Sequence, residues 1–175
     1  MGDEKVKEEA LQILSEFKIL PRLVVFDLDY TLWPYFCEDR SENEMPSLYP
    51  HAMGIIYALK DKGVDVAIAS RSSAPDIAKA FLDKLGIQSI LVAEEIFPCW
   101  SYKREHFQII HRRTGVPFNS MLFFDDEERN IEAVSEMGVT SILVDDDGVS
   151  LAAFEAGVNR FYFAQSSDSP VTSKS

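Results

Sequence analysis

Leu23-Val24-Val25-Phe26-Asp27-Leu28-Asp29-Tyr30-Thr31-Leu32-Trp33-Pro34 is the stretch on which the reading of this chain turns. Its first four residues are uniformly apolar and rich in β formers. The run is too short for a helix, and it predicts a strand buried on both faces. Two carboxylates follow at once. Residues two apart on extended chain point the same way, so Asp27 and Asp29 are expected to share one small space. Left alone, such a pair repels and one member keeps its proton. An acid after a strand often only caps a helix, but Leu32-Trp33-Pro34 is poor context for a cap.

Working outward, four more short apolar runs follow, at residues 64–69, 90–93, 121–124 and 141–144. Helical patterns lie between them, over 51–62, 73–85, 101–114 and 126–137, and each stops at a glycine: Gly63, Gly86, Gly115 and Gly138. Ser73 and Asp76 have the spacing of a short capping box, and a last short helix is expected over 150–156. Residues 3–18 read as an amphipathic helix with Val6, Ala10, Ile13, Leu14 and Phe17 on one side. It is expected to pack on the outside of the domain. Strands that alternate with helices imply parallel strands joined by helical crossovers. The predicted fold is therefore α/β, a three-layer α/β/α Rossmann-like arrangement around a parallel five-stranded sheet. The expected organisation is an N-terminal helix over 1–19, one domain over 20–164, and a Ser-rich disordered tail over 165–175.

Ligands of such sheets bind at the carboxyl ends of the strands, and those ends carry a consistent set of residues. Asp27 and Asp29 follow the first strand. Ser70 and Arg71 follow the second, where a hydroxyl just before a helix N-terminus suits a phosphate oxygen. Lys103 opens the helix after the third strand, against the helix dipole, which hints that something other than the helix selects it. Asp125 and Asp126 follow the fourth; acids in a first helical turn favour the dipole, but two adjacent Asp directly after a strand put at least one carboxylate in the cleft. Three carboxylates in one cleft make a hard-oxygen site for Mg²⁺. Metal and lysine then offset the negative charge, and a phosphate fits between them, the hydroxyl and backbone donors.

Composition limits the alternatives. The chain has 175 residues and a net charge of −12, which disfavours nucleic acid and anionic membrane as partners and would repel a phosphate ester unless cations intervene. No apolar run reaches the roughly eighteen residues needed to span a membrane. Residues 1–9 have neither the pattern of a secretion signal nor the composition of a transit peptide. Cys37 and Cys99 lie outside any Cys-x-x-Cys spacing and read as free thiols in a reducing, cytoplasmic setting.

Asp27-x-Asp29-x-Thr31, Ser70, Lys103 and Asp125-Asp126, in that order, resemble the four motifs of the haloacid dehalogenase (HAD) superfamily of phosphohydrolases. Residues 26–34, 69–71, 114–118 and 123–127 narrow the likeness to its magnesium-dependent phosphatases, over roughly residues 20–160. The resemblance implies Asp27 as nucleophile, forming an aspartyl-phosphate, and Asp29 as general acid and base. It implies Mg²⁺ held by Asp27, the backbone carbonyl of Asp29, and Asp126, with Asp125 in close support or as the alternative ligand. Ser70 and Lys103 bind the phosphoryl group, Lys103 also bridging to Asp27, and Thr31 orients the loop. Leu28, Phe36 and Arg71 join them as substrate-binding residues.

Only about fifteen residues separate Trp33 from Tyr49 and about thirty separate Arg71 from Lys103, so no cap domain fits; residues 34–46 can form only a minimal flap. The site is expected to be open, and to admit aryl phosphates of the phosphotyrosine type, on a small molecule or a phosphoprotein, or sugar phosphates. A monomer is expected. A receiver-like phospho-acceptor domain, a phosphotransferase on the same scaffold, and an inactive binding module remain as alternatives.

Overall fold

The structure is a computed structural model, and residues 2–167 of it are described. Among these, five strands form one parallel sheet: β1 (Leu23–Phe26), β2 (Asp65–Ser70), β3 (Leu91–Ile96), β4 (Met121–Asp125) and β5 (Thr140–Leu143), in the order β3-β2-β1-β4-β5. The helices are α1 (Asp3–Ser15), α2 (Ala52–Asp61), α3 (Pro75–Lys84), α4 (Arg104–Thr114), α5 (Glu128–Ser135) and α6 (Leu151–Ser167). From β1 the chain winds outward through β2 to β3, then returns to β4 on the other side of β1. The strand order reverses there, which opens a crevice at the carboxyl ends of β1 and β4. A receiver domain orders its strands 2-1-3-4-5, so this topology sets that alternative aside.

The strands are apolar on both faces because each face has its own core. Val24, Phe26, Val66, Ile68, Leu122 and Phe124 pack with α1, α2, α3 and α6. Val25, Ala67, Ala69, Met121 and Phe123 pack with Phe107 and Ile110 of α4 and Val134 of α5. Glycines end the helices as predicted. Gly63, Gly86, Gly115 and Gly138 all have φ between 72° and 101°, a region that costs an L side chain strain.

Several boundaries differ from the reading of the sequence. The first helix ends at Ser15 and buries Val6, Ala10 and Leu14 against α2 and α6. The last helix is no short one. It runs to Ser167, because Phe154, Val158 and Phe161 continue the buried stripe, so residues 165–167 of the expected tail are helical; 168–175 lie outside the described residues. The capping box does not form. Helix α3 starts at Pro75, and Ser73 Oγ instead donates to Glu38 Oε2 at 2.6 Å. Strand β3 extends to Ile96 and takes in Glu94 and Glu95, acids that an edge strand tolerates. No helix among the described residues is long and apolar enough to cross a membrane.

Candidate active site

Strand parity builds the centre. Phe26 pairs with Phe124 in β1 and β4, so Asp27 and Asp125 leave the sheet on one level. Both share the parity of Val25 and Phe123, so both side chains emerge on the α4–α5 face. Lys103 arrives on that face from the start of α4. Its Nζ lies 2.8 Å from Asp27 Oδ1 and 2.6 Å from Asp125 Oδ2. The ammonium is 1% exposed. Burial works against its charge, but Asp125 and Asp27 outweigh that and hold it above its ordinary range. To reach this position the backbone turns left-handed at Tyr102 (φ 51°) and Lys103 (φ 78°).

Asp125 is fully engaged: Glu127 N–H donates to its Oδ1 at 2.9 Å, and Asn130 Nδ2 to its Oδ2 at 3.1 Å. Asp126 is half-buried, its carboxylate beside that of Asp27, and its pKa is shifted well up by burial and by that neighbour. Oxygens of Asp27, Asp125 and Asp126 lie within 4.8 Å of one another. Three carboxylates face one ammonium there, so the cluster has excess negative charge as it stands. A hard-oxygen set crowded in this way fits Mg²⁺.

Asp29 is placed differently from the expectation. The chain stops being extended after Asp27: the Leu28 carbonyl accepts N–H bonds from Thr31, Leu32 and Trp33, and Tyr30 turns to φ 59°. Parity no longer holds, and the Asp29 carboxylate stays outside the three-acid cluster. Its Oδ1 accepts from Trp33 Nε1 at 2.8 Å and from Cys37 N–H at 3.0 Å. Burial raises its pKa, and these two donors oppose the rise. Asp29 still lines the same cavity as Asp27, Ser70, Arg71, Lys103 and Asp126, a space of about 230 Å³.

Thr31, buried, donates to Asp27 Oδ2 at 3.1 Å. Ser70 Oγ accepts the Ser72 N–H at 3.2 Å, which leaves its own O–H to donate elsewhere. Arg71 lies over the Tyr102 ring at 5.1 Å and reaches Glu127 and Asn130 at 3.4 Å each. Phe36, half exposed, stands at the cavity rim against Tyr30. Leu28 presents no side chain to the cavity, being fully buried, so only its backbone could meet a ligand. The flap is held down: Tyr35 stacks on Trp33 and packs on Phe81, and Lys84 Nζ binds the carbonyls of Glu42 and Glu44.

Sequence reasoning missed Trp33, the Cys37 amide, Glu38, Ser72 and Asn130. Asn130 was accessible, one helical turn after Asp126. Trp33 and Cys37 act on Asp29 through a turn that no periodicity announces. Both cysteines are free and buried, and burial pushes the Cys37 thiol up to about 12.

Comparison with known proteins places the chain in a family. Residues 36–163 match the family described as Acid Phosphatase, a span that begins beyond Asp27 and Asp29. The chain is 37% identical to Magnesium-dependent phosphatase 1 of Homo sapiens, over 83% of this chain and 90% of that protein. It is 36% identical to a HAD-like hydrolase superfamily protein of Schizosaccharomyces pombe, over 69% and 83% respectively. D,D-heptose 1.7-bisphosphate phosphatase from B. bronchiseptica, crystallised with magnesium and phosphate, shares the fold with a TM-score of 0.60 at 19% identity, covering 82% of this chain and 86% of that one.

Proposed function

Since the chain belongs to the acid phosphatase family of the HAD superfamily and is a magnesium-dependent phosphatase, we propose that it hydrolyses phosphate monoesters through an aspartyl-phosphate on Asp27. The observation that carries this reading is the Asp27 carboxylate itself. It stands at the switch point of the sheet, facing the cavity, with Lys103 on one oxygen and Thr31 on the other.

In the first step an Asp27 oxygen forms a bond to phosphorus while the bond to the leaving oxygen breaks. Asp29 gives that oxygen a proton. Its Oδ1 is occupied by Trp33 and Cys37, so Oδ2 is the oxygen free for this transfer. In the second step Asp29 takes a proton from water, the water oxygen bonds to phosphorus, and the carboxylate of Asp27 is released. Lys103 holds the Asp27 oxygen in line and, with the Ser70 hydroxyl and the Asp29 N–H, binds the phosphoryl oxygens. Asp27, Asp126 and the Asp29 carbonyl are the groups to hold Mg²⁺, with Asp125 committed to Lys103 and Asn130. When bound, the ion neutralises the crowded carboxylates and the incoming phosphate charge.

The open flank between Phe36 and Arg71 suits an aryl or sugar leaving group. The test is a panel of aryl and sugar phosphates with Mg²⁺, together with acid-quench trapping of phosphoenzyme. Asp27→Asn is expected to lose both turnover, by more than about a thousandfold, and the trapped species. Asp29→Asn is expected to lose about a hundredfold or more in turnover while still accumulating phosphoenzyme. Turnover by Asp27→Asn within tenfold of wild type would rule the nucleophile out.

A further inference from the structure

Behind the phosphate-binding face lies a connected set of groups that the mechanism above does not use. His106, on the first turn of α4, is fully buried, and its ring stacks on Phe97 at 3.9 Å between centroids. Its Nε2 lies 2.8 Å from the Ser70 carbonyl oxygen and 2.9 Å from that of Phe97. Two carbonyls can only accept, so Nε2 carries the hydrogen. Burial and the nearby Lys103 ammonium keep the ring neutral, its pKa pushed down to about 4, so Nδ1 is bare. Cys99 Sγ is 3.5 Å from that Nδ1, and only its S–H can donate there. The sulfur in turn accepts the backbone N–H of Lys103 at 3.4 Å and the Ser101 hydroxyl at 3.6 Å.

The hydrogen bonds therefore run in one direction, from Lys103 N–H to the Cys99 sulfur, from its S–H to His106 Nδ1, and from His106 Nε2–H to the Ser70 carbonyl. At one end is the turn at Tyr102 and Lys103, where two consecutive non-glycine residues occupy the strained left-handed region and need outside support. At the other end is the residue whose hydroxyl faces the cavity from β2. We infer that Cys99 and His106 are positioning residues that lock the Lys103 turn to the end of β2 at Ser70, so that two phosphate-gripping groups from different elements hold one relative geometry.

The kinetic consequence rests on the phosphatase reading; the hydrogen-bond order does not. Long-range ¹H–¹⁵N correlation spectra of the Mg²⁺-loaded protein at neutral pH test the order directly. A neutral His106 with hydrogen on Nε2 is expected, and hydrogen on Nδ1 overturns the proposal even if the protein is inactive. Kinetics with p-nitrophenyl phosphate then test its consequence. Cys99→Ala is expected to lose about tenfold to a hundredfold in kcat and to weaken inhibition by inorganic phosphate, with its thermal unfolding still cooperative. Cys99→Ser, which keeps a donor and an acceptor, is expected to recover most of both. Wild-type kcat and phosphate inhibition in Cys99→Ala overturn the proposal, as does loss of activity only in proportion to folded protein in both variants. A wild type that hydrolyses no ester defeats the phosphatase reading, and the spectra still decide the hydrogen-bond order.

Discussion

Asp126 sits with Asp27 and Asp125 so that their oxygens lie within 4.8 Å of one another, and its pKa is raised, so without a cation one of these groups holds a proton that water would remove. Its raised pKa means that ionising it opposes folding at neutral pH in the metal-free protein. Replacing it removes the repulsion and also one of the oxygens proposed to hold Mg²⁺. Asp126→Asn is therefore expected to raise the melting temperature of the metal-free protein by about 3 °C and to abolish the further rise that Mg²⁺ produces in the wild type. Thermal melts with EDTA and with Mg²⁺ check both; a full Mg²⁺ response in the variant would remove Asp126 from the site. Protons and Mg²⁺ compete for the same oxygens, so the wild-type response should shrink as pH falls.

The first helix and the second are held closer than ordinary side chains permit. A Cβ placed on Gly54 would lie 2.6 Å from Val6 Cβ and 2.8 Å from the backbone nitrogen of Lys7. Backbone cannot yield as a side-chain tip can, so Gly54→Ala must push α1 away from α2 and loosen Val6, Ala10 and Leu14. A loss of about 1–3 kcal/mol is expected, measured by urea unfolding, with little change in kcat because α1 lies on the sheet face opposite Lys103. An unchanged midpoint would mean that α1 contributes little to stability. The flap is a second element whose effect is indirect. Its Cys37 amide and the preceding Trp33 indole hold Asp29 Oδ1, so a segment too short to enclose a substrate still fixes the Asp29 carboxylate.

Across the whole molecule, buried charge couples the site to pH. His106 falls from the ordinary 6.5 to about 4, through burial first and then the Lys103 and Arg71 charges. Between those values the unfolded chain binds a proton that the folded chain refuses, so stability falls as pH drops from 6.5 toward 4, by on the order of 3 kcal/mol. The raised carboxylates Asp125 and Asp126 work in the opposite sense, and comparison with a variant separates the two. His106→Gln is expected to be less stable than wild type at pH 7, with the gap narrowing toward pH 4 in urea melts. A gap independent of pH would contradict a neutral buried ring.

Local chemistry was enough to establish the alternation of apolar strands with glycine-stopped helices, and hence the parallel sheet. Asp27, Ser70, Lys103 and Asp125-Asp126 could be placed at its carboxyl end because each directly follows a strand or opens the next helix. Those features depend on periodicities and on residues adjacent in the chain. What required the folded molecule was every relation between residues distant in the chain or past a turn. Asp29 lines the same cavity as Asp27 but stays out of the three-carboxylate cluster because the Leu28 turn ends the extended backbone. Lys103 reaches two carboxylates because strand parity and a left-handed turn bring it there. Cys99 and His106 join two loops through bonds that no spacing encodes. Helix α6 runs on to Ser167 because the body of the domain offers its buried stripe a surface.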